Sequence, residues 1–211
     1  ELAYLWFCPK QNSRILDPFA GGSVRGIVAS TMGHDYTGIE LREEQVLSNR
    51  EQAKRIFEEE KKPDWIIGDS NQVLDKLNKG LASNQIKEYD FIFSCPPYGN
   101  LEIYSDMKED ISNMEYDKFL EIYESIIAKS CKLLKQGELA CFVVGEFRDK
   151  KGHFYGFVPD TINAFKKCGM KFYNEIILLN AIGSASVRAS TSMKNRKVVK
   201  IHQNVLVFKK I

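Results

Sequence analysis

The sequence predicts an α/β fold: a doubly wound, mainly parallel sheet of seven strands that closes in a C-terminal antiparallel hairpin. Three observations lead there. Strand-like and helix-like patterns alternate five times along the 211 residues, and consecutive strands joined by crossover helices run parallel. The run "ELACFVVG" (Glu138 to Gly145) is apolar enough to be buried on both faces. The last two strand patterns flank a basic segment and are expected to pair antiparallel at the sheet edge.

The elements follow in order. Leu2 to Phe7 reads as the end of a helix, stopped before Pro9. "RILDPF" (Arg14 to Phe19) is a short strand closed by Pro18, and "GGSVRGIVASTMG" is a glycine-rich turn entering a helix that ends near Gly33. "YTGIEL" (Tyr36 to Leu41) is the second strand. Arg42 to Lys61 reads as an amphipathic helix with Val46, Leu47, Ala53, Ile56 and Phe57 on one face. "WIIGDS" (Trp65 to Ser70) is the third strand, followed by a helix that Gly80 is expected to end. Tyr89 to Ser94 is the fourth, stopped by two consecutive prolines that cannot donate to a ladder. Tyr116 to Leu134 is a strong helix; a fifth strand, a helix from Val158 to Lys167, and the strands "KFYNEIILLN" and "NVLVFKK" complete the chain.

Size suits one well-packed domain over residues 1–211. A net charge of +2 excludes a uniformly basic protein but not a local basic patch. The five cysteines form no CxxC pair and are odd in number, which fits a reducing, cytoplasmic setting. Three widely spaced histidines (His34, His153, His202) give no zinc signature, so no metal is expected. No apolar run approaches a membrane span, and no signal peptide is visible. The chain starts at Glu1 rather than Met.

In such a fold, ligands bind at the C-terminal ends of the strands. The first strand ends in Asp17-Pro18-Phe19-Ala20-Gly21-Gly22, where glycines let a ligand approach the backbone and a helix N-terminus stands behind. An ordinary tight turn would look the same. The second ends in Gly38-Ile39-Glu40, with the acid 19 residues after Gly21, about where a carboxylate reaches a ribose hydroxyl. The third ends in Gly68-Asp69-Ser70; Asp69 could accept from an adenine amino group or simply cap the next helix. The fourth ends in Cys95-Pro96-Pro97-Tyr98, more rigidity and aromatic surface than a turn needs.

Taken together, these four signals resemble the S-adenosylmethionine-dependent DNA amino-methyltransferases, which modify the exocyclic nitrogen of adenine or cytosine. "DPFAGG" is similar to that family's first cofactor motif, "GIE" to its ribose-binding acid, "GDS" to its adenine-contacting segment, and "CPPY" to its catalytic tetrapeptide. The resemblance runs from Arg14 to the C-terminus. From "FSCPPY" through "FVVGEFRDKKG" and "HQNVLVF" it narrows to phage and prophage methylases, some fused to ParB-like nuclease domains. It implies a Rossmann-like class I methyltransferase, with S-adenosylmethionine held by Asp17, Pro18, Phe19, Ala20, Gly21, Gly22, Glu40, Asp69 and Ser70. Catalysis then falls to Cys95, Pro96, Pro97 and Tyr98, acting on a base flipped out of its duplex, as in restriction-modification enzymes.

That chemistry is physically sensible. An aromatic amine is a poor nucleophile, so the protein must position it and accept hydrogen bonds as it becomes cationic. The resemblance assigns the acceptor role to residue 95 and the Pro96 carbonyl, and base stacking to Tyr98. The sequence departs from the family in three places. Residue 95 is Cys rather than Asp, Asn or Ser, and a thiol is a weak acceptor. Ser23 stands where glycine is usual, which is tolerable unless φ is positive there. An N-terminal motif that completes the cofactor site is not visible and is expected to lie outside this chain. A thiolate mechanism like that of cytosine carbon-5 methyltransferases competes, but their cysteine follows a proline instead of preceding two.

The partner expected is DNA. The best contact candidate is the segment 181–203, which carries Arg188, Lys194, Arg196, Lys197 and Lys200 and no acid. Phe147 to Gly156 is a second candidate, mixing basic and aromatic residues. A solvated loop is the bland alternative for the first. Two other functions stay open: an RNA or protein-amide N-methyltransferase of the same fold, and an inactive nucleic-acid-binding relative.

Overall fold

Side chains that alternate along each strand sort onto the two faces of a single seven-stranded sheet. The computed structural model describes residues 1–8, 10–57, 63–101, 103–183 and 185–211. The elements are α1 (Leu2–Phe7), β1 (Arg14–Asp17), α2 (Val24–Thr31), β2 (Asp35–Glu40), α3 (Glu43–Lys54), β3 (Asp64–Ile67), α4 (Ser70–Ala82) and β4 (Tyr89–Ser94). They continue as α5 (Tyr116–Leu133), β5 (Leu134–Val144), α6 (Phe157–Lys167), β6 (Met170–Leu179), α7 (Ala185–Lys194) and β7 (His202–Lys210).

The sheet order is β3-β2-β1-β4-β5-β7-β6. The first five strands are parallel, and β7 runs antiparallel between β5 and β6. The chain winds outward from β1 to β3, returns, and winds the other way through β4. The β1–β4 boundary is therefore the switch point where a ligand cleft opens. The antiparallel β7 brings its first residues to the same sheet end as the C-termini of the parallel strands.

Period-two alternation builds the two core layers. Leu16, Ile92, Phe142 and Phe208 point to the face covered by α4, α5 and α6. Their neighbours Ile15, Phe91, Cys141 and Val207 point to the other face, toward Tyr4, Ala29 and Trp65. In α5, Phe119, Tyr123, Ile126, Ile127 and Leu133 recur at helical spacing and are buried.

Three expectations shift. The helix after β2 is shorter than its apolar pattern suggests, and the predicted end, residues 58–61, lies outside the described residues. Its buried stripe is Val46, Asn49 and Ala53, while Leu47 and Ile56 are exposed. The buried Asn49 amide donates to the turn after β1. The helix α4 runs through Gly80 to Ala82 and ends where Asn84 turns left-handed at φ 57°. The segment 181–203 is not simply a loop: it folds α7, a helix of which only Ala185 is buried.

One buried group gives the fold a pH dependence. His34 is 7% exposed, and among the described residues its Nδ1 has no hydrogen-bond partner. Burial holds its imidazole below the ordinary value of 6.5. The unfolded chain therefore binds this proton first. Stability is full above about pH 6.5 and falls as the pH drops from there toward the depressed folded value. Melting temperature should decline over that window, and His34→Leu should flatten the decline; an unchanged profile in the variant would contradict this assignment.

Candidate active site

The site begins with a buried carboxylate. Asp17, at the end of β1, is fully buried. Its Oδ2 accepts from Arg25 Nε (2.6 Å) and the Tyr36 hydroxyl (2.7 Å). Its Oδ1 accepts from the Ser94 hydroxyl (2.5 Å) and the Phe19 N–H (3.1 Å). Arg25 also donates to the carbonyls of Phe19 (2.6 Å) and Ala20 (2.8 Å). Burial works against the Arg25 cation, but the Asp17 carboxylate beside it raises its pKa above the ordinary value. This ion pair ties β1, β2, β4 and α2 together and shapes the turn 18–22 from behind.

That turn floors a cleft of about 350 Å³ at the switch point. Pro18, Phe19, Gly21, Gly22, Glu40, Asp69 and Ser70 line it. Asp17 and Ala20 are not part of that lining: both are fully buried behind the wall, where they support the turn. Gly21 adopts φ +53°, and a Cβ at Gly21 or Gly22 would project into open space. Ser23 sits at φ −69° as the N-cap of α2, so the missing glycine at that position costs nothing.

Glu40 is aimed by backbone. Its Oε2 accepts from Gly21 N–H (3.0 Å) and its Oε1 from Arg42 N–H (2.9 Å). The Asn49 amide donates to the Gly21 carbonyl (2.8 Å), so α3 holds the same turn from the far side. Asp69 caps α4 by accepting from Asn71 N–H (3.0 Å), and it also lines the cleft. The Ser70 hydroxyl donates to the Pro18 carbonyl (2.6 Å) and stitches the β3 and β1 ends together.

The four residues after β4 divide between two cavities. Cys95 and Pro97 face the cleft. Cys95, Pro96 and Tyr98 face a second cavity of about 240 Å³, shared with Leu101, Tyr104 and Gln203. Cys95 and Tyr104 line both cavities and mark the junction between them. Ser94 points away, onto Asp17. The Tyr98 ring packs edge-on against Phe157, with centroids 5.9 Å apart. Burial, then the adjacent Cys95 sulfur that its side chain hydrogen-bonds, raise the phenol well above its ordinary value.

The two basic candidates meet in space. Residues 147–156 form a small turn in which Arg148 bridges Phe154, its guanidinium 3.6 Å from the ring centroid. The Lys197 ammonium lies over Gly152 of this turn, in the space a side chain there would need. Lys150, Lys151, Arg188, Lys194 and Arg196 are exposed. Lys200 is half-buried near the start of β7. Among the described residues, no cluster of three or more His, Cys, Asp or Glu could hold a metal. No described helix is long and apolar enough to cross a membrane.

The sequence profile of the RNA cap guanine-N2 methyltransferase family matches residues 12–136, from the turn before β1 to the start of β5. The chain belongs to this family. No curated protein matches at the sequence level. Solved structures share the fold at low identity. A methyltransferase dependent on S-adenosylmethionine from Methanosarcina mazei is 12% identical with a TM-score of 0.60, over 96% of this chain and 94% of that one. Magnesium protoporphyrin IX methyltransferase from Synechocystis, crystallised with bound S-adenosylmethionine, is 10% identical with a TM-score of 0.57, over 95% of this chain and 71% of that one. TrmN from Thermus thermophilus is 15% identical with a TM-score of 0.61, over all of this chain but only 47% of its own length.

The family member described here is thus an S-adenosylmethionine-dependent methyltransferase of the Rossmann-like class. The residues fit the cofactor: a glycine floor that a Cβ would fill, and a carboxylate held at the end of β2. Sequence reasoning missed Arg25, Asn49, Tyr104 and Gln203. Arg25 follows a buried strand-end acid at helical reach, which is a usable signal. Asn49 hides in a polar helix.

Proposed function

We propose that the protein methylates the exocyclic amino nitrogen of a nucleobase in RNA, with guanine N2, the acceptor in the family's description, as the first candidate. The observation that carries this is the junction: cleft and second cavity meet at Cys95 and Tyr104, with Pro96 and Pro97 on opposite sides. A planar base in the second cavity would lie against Tyr98 with its amino group toward the cleft. Glu40 would hold the ribose of the cofactor and Asp69 its adenine, while the glycine turn accepts the methionine end. When bound, S-adenosylmethionine supplies an electrophilic methyl group on a sulfonium. The chain's own task is to orient the amine and to accept its hydrogen bonds as positive charge develops, through the Pro96 carbonyl and residue 95.

DNA amino-methylation is the second reading. The motif Cys95-Pro96-Pro97-Tyr98 supports it, through its resemblance to the catalytic tetrapeptide of the DNA amino-methyltransferases; the basic surface of α7 and residues 194–200, beyond the matched residues 12–136, serves both readings. Either polymer would meet Arg188, Lys194, Arg196, Lys197 and Lys200 through its phosphates. Transfer of labelled methyl into capped RNA, uncapped RNA and duplex DNA separates the two. Label in RNA alone supports the first reading, label in DNA alone supports the second, and label in neither polymer rejects both.

Cys95→Ser should keep methyl transfer within about tenfold of the parent, the worth of one hydrogen bond, because a hydroxyl accepts better than a thiol. A dead variant that still binds S-adenosylmethionine would instead give the thiol a role beyond accepting one hydrogen bond.

A further inference from the structure

The second cavity contains a side chain to which the sequence patterns assign no role. Gln203 stands 105 residues from Tyr98, and its Nε2 donates to the Tyr98 hydroxyl at 2.6 Å. The topology explains the meeting. Because β7 is antiparallel, its second residue lies at the same sheet end as the close of β5, where Val144 pairs with Asn204. Gly145 follows directly. A Cβ built there would lie 3.6 Å from the Tyr98 ring and 3.9 Å from Gln203 Cγ, so both side chains fill the space above this glycine.

The chemistry at this spot is distinctive. Among the described residues that line the cavity, Cys95, Pro96, Tyr98, Leu101, Tyr104 and Gln203, only Gln203 carries a carboxamide. A carboxamide offers two donors and an acceptor. One donor is committed to Tyr98. A fixed donor–acceptor pair is the group that reads the edge of a base, where a matched pair gives discrimination that stacking alone lacks. The basic segment 194–200 runs straight into this residue, so a polymer gripped there would present its base within reach of it.

Resting on the nucleobase reading above, we propose that Gln203 is the specificity-determining residue of the acceptor cavity. It anchors the Tyr98 ring through the hydroxyl and presents its remaining donor and acceptor to the edge of the base being methylated.

The test compares Gln203→Leu, Tyr98→Phe and the double variant, on whichever polymer the parent methylates, with S-adenosylmethionine affinity and melting temperature as controls. Gln203→Leu should raise KM for the polymer by roughly tenfold to a hundredfold and blunt discrimination between bases, with cofactor affinity unchanged. Tyr98→Phe keeps the ring and the Gln203 carboxamide and loses the hydroxyl's bonds to Gln203 and Cys95, so its KM should rise less, and the double variant should match or exceed Gln203→Leu. Equal effects in both single variants, with no further loss in the double, would mean Gln203 acts only through Tyr98 and would overturn the proposal. So would an unchanged KM and base preference in Gln203→Leu. A parent that binds the cofactor but methylates no nucleic acid would overturn the functional reading itself, a result separable from either of those.

Discussion

Tyr98→Ala is expected to lower methyl transfer about a hundredfold or more while leaving S-adenosylmethionine affinity near that of the parent. The separation follows from which cavity each residue faces. Pro97 lines the cofactor cleft, whereas Tyr98 lines only the second cavity. Its ring is braced by Phe157 and by Gln203, so it offers a fixed wall for a planar acceptor. Without that wall the amine is no longer held in line with the methyl group, and misplacement of about an ångström is enough for a loss of this size. Equilibrium binding of the cofactor and single-turnover transfer, measured on the same preparation, check it. Loss of cofactor binding in parallel with activity would mean that Tyr98 supports the cleft instead.

Asp17→Ala should lower unfolding free energy by about 3–5 kcal/mol, the usual cost of removing one partner of a buried pair. Arg25 would keep its charge beside a vacated acceptor. The hydroxyls of Tyr36 and Ser94 would lose theirs as well, both in buried surroundings. The Asp17 side chain is 0% exposed and that of Arg25 only 22%, so water can repair little of this. Urea unfolding of parent and variant gives the number. A loss below about 1 kcal/mol, typical of a surface ion pair, would contradict the structural role. Cofactor affinity should fall too, because the turn 18–22 hangs on the Arg25 contacts to Phe19 and Ala20.

These two residues show what the sequence could and could not reveal. The sheet was legible because its information is local: alternating apolar residues, crossover helices and turn residues at each strand end. The four strand-end motifs were legible for the same reason, since the topology collects them at one edge. Residue roles were less so. Asp17 belongs to the expected motif, but its function is set by Arg25, Tyr36 and Ser94, which approach from three other elements. Leu47 and Ile56 fit an apolar helical face, yet α3 buries Val46, Asn49 and Ala53 and leaves Leu47 exposed, while Ile56 falls beyond its end and is exposed as well. The helix α7 gave no signal because its serine- and threonine-rich stretch buries only Ala185. Gln203 lies in the run "HQNVLVF", which as a strand pattern says nothing of a cavity role, although the antiparallel final strand foretells that its first residues reach the active end.

The acceptor atom is the centre of the account, and nucleoside mass spectrometry tests it most directly. RNA and DNA would be incubated with the protein and methyl-labelled S-adenosylmethionine, digested, and the labelled bases fragmented to place the methyl group. Label on an exocyclic amino nitrogen, abolished by Tyr98→Ala, is the expected result. Label on a ring carbon or ring nitrogen, or only in protein, would contradict the arrangement of Cys95, Pro96, Pro97 and Tyr98 proposed here.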